Sequence, residues 1–238
     1  MTVNTIDQSQ RKAAKVAGLA YLFTLVVVVY VNFGIHARLI VHGRAAETAR
    51  NILAHERLFR IGIVGDLTYC AGVIVLLTAL YVILEPVNRG LALLGAAWRL
   101  VWVLMWLAMT LNLFDALRLL GGGDSLRAFE VERLQAWASL RLAAGFDYYY
   151  VGLLFGASAS TVWSYLWFKS RYIPRSLAGF GMISSAFGVA CTLVFFVFPH
   201  FDQIVNLWWF DTPMGIFDIV LSFWLLFKGL RPGELSPR

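Results

Sequence analysis

The sequence predicts an all-α integral membrane bundle of six transmembrane helices, with one or two amphipathic helices lying at the interface. Three observations predict it. Apolar residues make up 60% of the chain and charged ones only 14%, against about 25% charged in soluble chains. The mean hydropathy is +0.71. Six apolar segments also approach the roughly 20 residues that a helix needs to cross hydrocarbon. A soluble globule of this length would still need a polar surface, which this composition cannot supply.

The first span is expected at Val16–Ile35. Arg11, Lys12 and Lys15 precede it, but the run is longer than a signal-peptide core and no small-x-small site follows, so it reads as a retained span. The second and third are expected at Ile61–Leu84 and Leu91–Leu113, separated by the Glu85–Asn88 turn. Gly145–Phe168 and Leu177–Phe198 give the fourth and fifth. The sixth, Leu207–Phe227, is interrupted by Asp211, Thr212 and Pro213. That triplet supplies an N-cap and a first-turn proline, which predicts a helix starting at Pro213. Between the first two spans, Arg44–Arg57 reads as an amphipathic helix with Ala45, Ala49, Ile52 and Leu53 on one face. A second short helix is predicted over Leu126–Leu142, after the Gly121–Gly123 break, and both are expected at the membrane interface. No linker or repeat divides the chain, so residues 1–238 form one transmembrane domain.

The net charge of +6 is spread over loops and termini, which suits anionic headgroups. It excludes nucleic acid as a partner, for lack of a continuous basic face or a binding module. The clusters Arg11–Lys15 and Lys169–Arg175 flank spans on one side. By the positive-inside rule they place both termini in the cytoplasm, in the inner (plasma) membrane. Cys70 and Cys191 lie in apolar runs without metal or redox spacing and are expected as free thiols. His36, His42, His55 and His200 lie outside the expected spans, so no intramembrane haem ligand is predicted. A surface site of His42, His55 and Glu56 is a weak pattern. No cofactor and no metal are expected. Nucleophile elbows, zinc-protease motifs and phosphate-binding glycine loops are absent from the sequence.

The informative residues are charges inside apolar segments. Asp66, Asp147, Asp218 and Arg99 lie in or at the mouth of expected spans, where a centred Asp or Arg costs roughly 2.5–3.5 kcal/mol and tends to face the bundle interior. With cytoplasmic termini, the three carboxylates fall in the outer half of the bilayer and Arg99 near its midplane. This predicts an outward polar pocket floored by Arg99. Asp66 and Asp218 are its candidate catalytic acids, lined by Arg99, Trp102, Trp106, Asp147, Tyr150 and Ser158. Trp102 and Trp106 share the Arg99 face, where an indole could stack on the guanidinium. On the fourth span, Asp147, Tyr150, Leu154, Ser158, Thr161 and Tyr165 form the wet stripe. Gly152, Gly156 and Ser160 form the small-residue packing face opposite. Asp115 points half a turn away from Arg99 and is read as interfacial. The plain alternative is that Arg99 pairs with Asp66 or Asp218 and only fixes helix rotation. Asp147 beside Tyr148–Tyr150 would then only mark the headgroup level.

The order of motifs adds a resemblance. AAETARNILAHERLFRIGIVGDL (Ala45–Leu67) leads into YVILEPVNRGLALLGAAWRL (Tyr81–Leu100), followed by LWFKSRYIPRSLAGFGMI and a closing IFDIVLSFWLLFKGL. Together these resemble the bacterial membrane family called domain of unknown function 4386, from Lys15 to Gly229. The resemblance implies a polytopic membrane fold, an acidic residue at Asp218 and an arginine at Arg99. It also implies a histidine in the fourth span where this chain has Ser158, so that any chemistry resting on that histidine would be altered here. It implies no specific function.

Three function classes follow. The first is a small membrane subunit or lipid-binding protein whose buried charges set helix register. The second is a membrane enzyme acting on a lipid or isoprenoid by terpene-cyclase-like acid chemistry, with Trp102, Trp106, Tyr148, Tyr150 and Trp163 walling the acids. The third is a proton- or cation-coupled transporter, which lacks the broken helices and inverted repeats that usually accompany it. The expected partners are membrane lipids, a hydrophobic small molecule and a membrane-protein partner.

Overall fold

A computed structural model describes residues 6–41, 43–122, 128–198 and 208–231. All regular structure among them is helical. Helix α1 runs over Gln8–Val29 and continues without a break through a π-helical stretch, Tyr30–His36, to Leu39. There follow α2 (Ala45–Ala54), α3 (Glu56–Leu84), α4 (Arg89–Leu120), α5 (Val131–Ser170), α6 (Arg175–Val197) and α7 (Trp208–Phe223), the last extended by a π-helical turn, Trp224–Lys228. Five helical rods are long and apolar enough to cross a membrane: Gln8–Leu39, α3, α4, α5 and α6.

Local chemistry sets the boundaries. At the start of α1, Asp7 Oδ1 accepts from the Gln10 amide at 2.7 Å while Gln10 Oε1 accepts from the Asp7 amide at 3.2 Å, a reciprocal cap. Pro86 follows the end of α3, and Asn88 caps α4 by accepting from the Leu91 amide at 2.9 Å. Pro174 precedes α6, where its fixed φ suits a helix start.

Four expectations change. The separate helix over Leu126–Leu142 does not exist among the described residues; residues from Val131 onward belong to α5, 40 residues long. No proline interrupts Val131–Ser170, and its glycines, Gly145, Gly152 and Gly156, are isolated and only weak breakers, so nothing stops the helix. At about 1.5 Å per residue it measures about 60 Å, twice the hydrocarbon thickness. The first rod reaches Leu39 rather than Ile35, which brings His36 into it. Helix α7 already runs from Trp208, so Pro213 lies inside it rather than at its start. There it cannot bond the carbonyl four residues back, a loss confined to the second turn. Where an amphipathic helix is expected over Arg44–Arg57, α2 covers only Ala45–Ala54, Glu56 and Arg57 belong to α3, and Leu53 is exposed while Thr48, Ala49 and Ile52 are buried.

The chain forms two compact units, Met1–Phe23 with Gly72–Val103 and Gly152–Arg238, and Thr24–Ala71 with Leu104–Val151. The core of the first gathers Tyr21, Leu80, Ile83, Trp163, Leu166, Trp167, Tyr172 and Leu221. The core of the second gathers Ile35, Ile52, Phe59, Ile63, Leu113, Leu117 and Leu142. Small residues permit the helix contacts within each. In the first unit a β-carbon on Gly156 would lie 3.1 Å from the Trp102 ring, and one on Gly181 would lie 2.5 Å from Phe217. In the second, Gly65 receives Val31 and Gly62 receives Ile35 and His36.

Candidate functional site

Of the residues expected in one pocket, Arg99, Trp102, Ser158 and Asp218 belong to the first unit and Asp66, Trp106, Asp147 and Tyr150 to the second. In the first unit, Arg99 of α4 is 8% exposed. One turn earlier, Gly95 leaves room for the Trp163 indole, whose Nε1 donates to the Ala92 carbonyl at 3.4 Å. The Arg99 guanidinium lies over that same ring, 5.5 Å from its centroid, within cation–π range. Arg99 Nη2 donates to Ser160 Oγ at 2.7 Å. Its Nε is buried and bonds to nothing among the described residues. Among the described residues, no carboxylate stands within ion-pair distance of Arg99. Asp218 of α7, partly buried, is an electrostatic neighbour, and the Tyr21 hydroxyl of α1 feels both Asp218 and Arg99.

The sequence offers Trp102 or Trp106 as the indole that could stack on Arg99 and, in the plain alternative, Asp66 or Asp218 as its ion-pair partner. Trp163 takes the first role, and a serine on the small-residue face of α5 takes the place of the second. Trp102 packs on Gly156 instead. Ser158 is half-buried and donates to the Leu154 carbonyl of its own helix at 2.7 Å. The small-residue face is packed as expected, with Gly152, Gly156 and Ser160 all buried. The signal for the Arg99 site was the pairing of Gly95-x-x-x-Arg99 on one helix with Ser160-x-x-Trp163 on another. It was legible only once those two faces were known to meet.

In the second unit, Asp66 of α3 is 1% exposed and both of its oxygens are engaged. Oδ1 accepts from Trp106 Nε1 at 3.1 Å, and Oδ2 lies 2.9 Å from His36 Nε2. Trp106 stacks at a tilt against Tyr69, with ring centroids 4.5 Å apart, and meets the edge of Tyr149 at 6.2 Å. Phe59 stands edge-on to His36 at 6.0 Å. Tyr150 is buried nearby in sequence, whereas Asp147 is exposed. Asp115 lies 3.8 Å from Arg118, a largely exposed pair one turn apart. His36 was the residue sequence reasoning missed. The signal was present: Asn32, Ile35, His36 and Leu39 continue the helical period past the expected end of the span.

The family-model comparison matches residues 16–229, described as a domain of unknown function, DUF4386. The chain belongs to the DUF4386 family. All residues of both clusters, from Tyr21 to Asp218, lie within the matched DUF4386 region. No curated protein and no solved structure matches the chain. Membership therefore fixes the family and leaves the chemistry to the side chains. Among the described residues, no three His, Cys, Asp or Glu side chains gather so as to hold a metal ion. Cys70 and Cys191 are free thiols. His42 and His200 lie outside the described residues.

Proposed function

We propose that this DUF4386 protein is a six-span, lipid-binding protein of the inner (plasma) membrane with both termini cytoplasmic, and that Arg99 holds the polar head of its ligand. The observation that carries this reading is the state of the guanidinium. It is buried, it uses one donor on Ser160, and its Nε has no partner among the described residues. A buried charge without a contacting counter-ion is costly, and a serine oxygen offsets only part of that. A phosphate or carboxylate oxygen on an amphiphile would accept from Nε and supply the missing negative charge, in the fork geometry that favours arginine. Asp218 and Tyr21 then bound the head group from two other helices, and Trp163 offers an apolar wall.

The test is extraction and mass spectrometry of lipids retained by purified protein, comparing the native chain with Arg99→Leu. A reproducible amphiphile lost in the variant supports the reading. Equal retention by both, or a protein that purifies empty while folded, overturns it in favour of a membrane subunit whose charges only set helix register.

A further inference from the structure

Asp66 and His36 form a second polar centre that lipid binding at Arg99 does not use. Trp106 donates to one carboxylate oxygen and His36 Nε2 reaches the other at 2.9 Å. If the carboxylate is ionised it can only accept, the shared proton then lies on Nε2, and a neutral ring keeps its lone pair on Nδ1. That Nδ1 is buried and has no partner among the described residues. A tether between two helices needs only one donor to Asp66, which a hydroxyl could supply without burying an unsatisfied ring nitrogen.

The backbone also departs from regular form to place this ring. Tyr30–His36 is π-helical, a wide turn that is rare and concentrates at functional sites. At its start Asn32 Nδ2 donates to the Val28 carbonyl at 2.9 Å. At its end the His36 ring seats on Gly62, where a β-carbon would lie 2.9 Å from Cε1 and 3.5 Å from Nδ1. An unpaired nitrogen and a widened helix turn thus converge on one imidazole.

We propose that His36 and Asp66 form a proton-binding site, with Nδ1 as the atom that gains and releases the proton. On uptake, the Nδ1 lone pair forms a new N–H bond to a proton from hydronium, releasing water. The imidazolium then faces the Asp66 carboxylate, and the pair becomes neutral overall. Release reverses both changes. Among the described residues, the groups that meet this pair include the Cys70 thiol one turn along α3, the Trp106 indole of α4 and, through Trp106, the phenols Tyr69 and Tyr149. Asp66 is the ion-pair partner of His36, so it both orients the ring and balances its charge, the role a carboxylate has beside a general-base histidine.

The experiment is nitrogen NMR of the full chain, labelled selectively at histidine and reconstituted in nanodiscs, with His36→Gln used to assign the signal. The native protein should show the Nε2–H tautomer, with titration moving the Nδ1 resonance. Asp66→Asn, which removes the carboxylate facing Nε2, should redistribute the tautomers and change how the Nδ1 resonance responds to pH. Trp106→Phe, which leaves the carboxylate in place but removes its second donor, should give a smaller change. It also serves as the test if the asparagine variant fails to fold. A His36 ring that holds one protonation state wherever the protein stays folded would overturn the proposal. So would a native ring carrying its proton on Nδ1, or a pH response indifferent to whichever of the two variants folds.

Discussion

Gly62 lies so close beneath the His36 ring that a β-carbon there would sit 2.9 Å from Cε1. Glycine at this position is therefore a packing requirement of the His36–Asp66 bond, because any side chain displaces the ring. Gly62→Ala should destabilise the protein by about 1–3 kcal/mol, the usual cost of overpacking a fitted contact. Combined with Asp66→Asn, the loss should be less than additive, since both changes break the same bond. Thermal unfolding of the four proteins in one detergent measures this, and strictly additive losses would show that the glycine acts elsewhere.

A similar contrast lies on α6. A β-carbon on Gly181 would meet the Phe217 ring of α7 at 2.5 Å, whereas one on Gly179 meets nothing within 4 Å. Gly181→Ala should lower the unfolding temperature by an overpacking cost of about 1–3 kcal/mol. Gly179→Ala should leave it unchanged or raise it, since alanine is favoured over glycine within a helix by up to about 1 kcal/mol. Equal effects at the two positions would mean that α6 does not present this face to α7.

The serines of α5 separate packing from chemistry. Ser160 accepts from the buried Arg99 at 2.7 Å, while Ser158 bonds only the carbonyl of its own helix. Ser160→Ala should cost about 1.5–3 kcal/mol, the range for a hydrogen bond to a charged group. Ser158→Ala should be close to neutral. Denaturant unfolding gives both values, and a Ser158 variant as damaging as the Ser160 one would contradict this account of the site.

How much of this was legible in the sequence depends on which physical signal each residue carries. Five long apolar helices are readable because length and apolar content are local properties, and Asp66 and Arg99 stand out as charges in apolar runs, where both are buried. The partners were not readable. Arg99 turned out to use Ser160 and Trp163, residues whose types are unremarkable and whose phase matters only after α4 and α5 are docked. His36 was set aside because the apolar run was ended at Ile35, one residue short, and because no sequence rule announces a π-helical turn. The unbroken α5 was missed for a related reason. The polar stretch within Leu126–Leu142 reads as a separate surface helix, yet from Val131 onward it holds no residue that would end one.

The sixth span is the remaining topological expectation. The described part of this segment comprises α7, 16 residues, and a π-helical extension of 5 residues ending at Lys228. A helix of that size reaches roughly 30 Å, the thickness of the hydrocarbon layer. One face is committed to the protein: Phe217, Leu221 and Leu225 are buried, while Ile216, Val220, Phe223 and Phe227 are exposed. An exposed apolar stripe on a segment of that length is what a lipid-facing helix requires. Lys228 at its end supplies a cation at the interface, where the side chain can extend to the headgroups. Reporter fusions placed at His200 and after Lys228 should consequently report opposite sides of the membrane, with the second cytoplasmic. Fusions reporting the same side would leave five spans, place the two ends on opposite faces, and make α7 a helix that re-enters or lies against the membrane without crossing it.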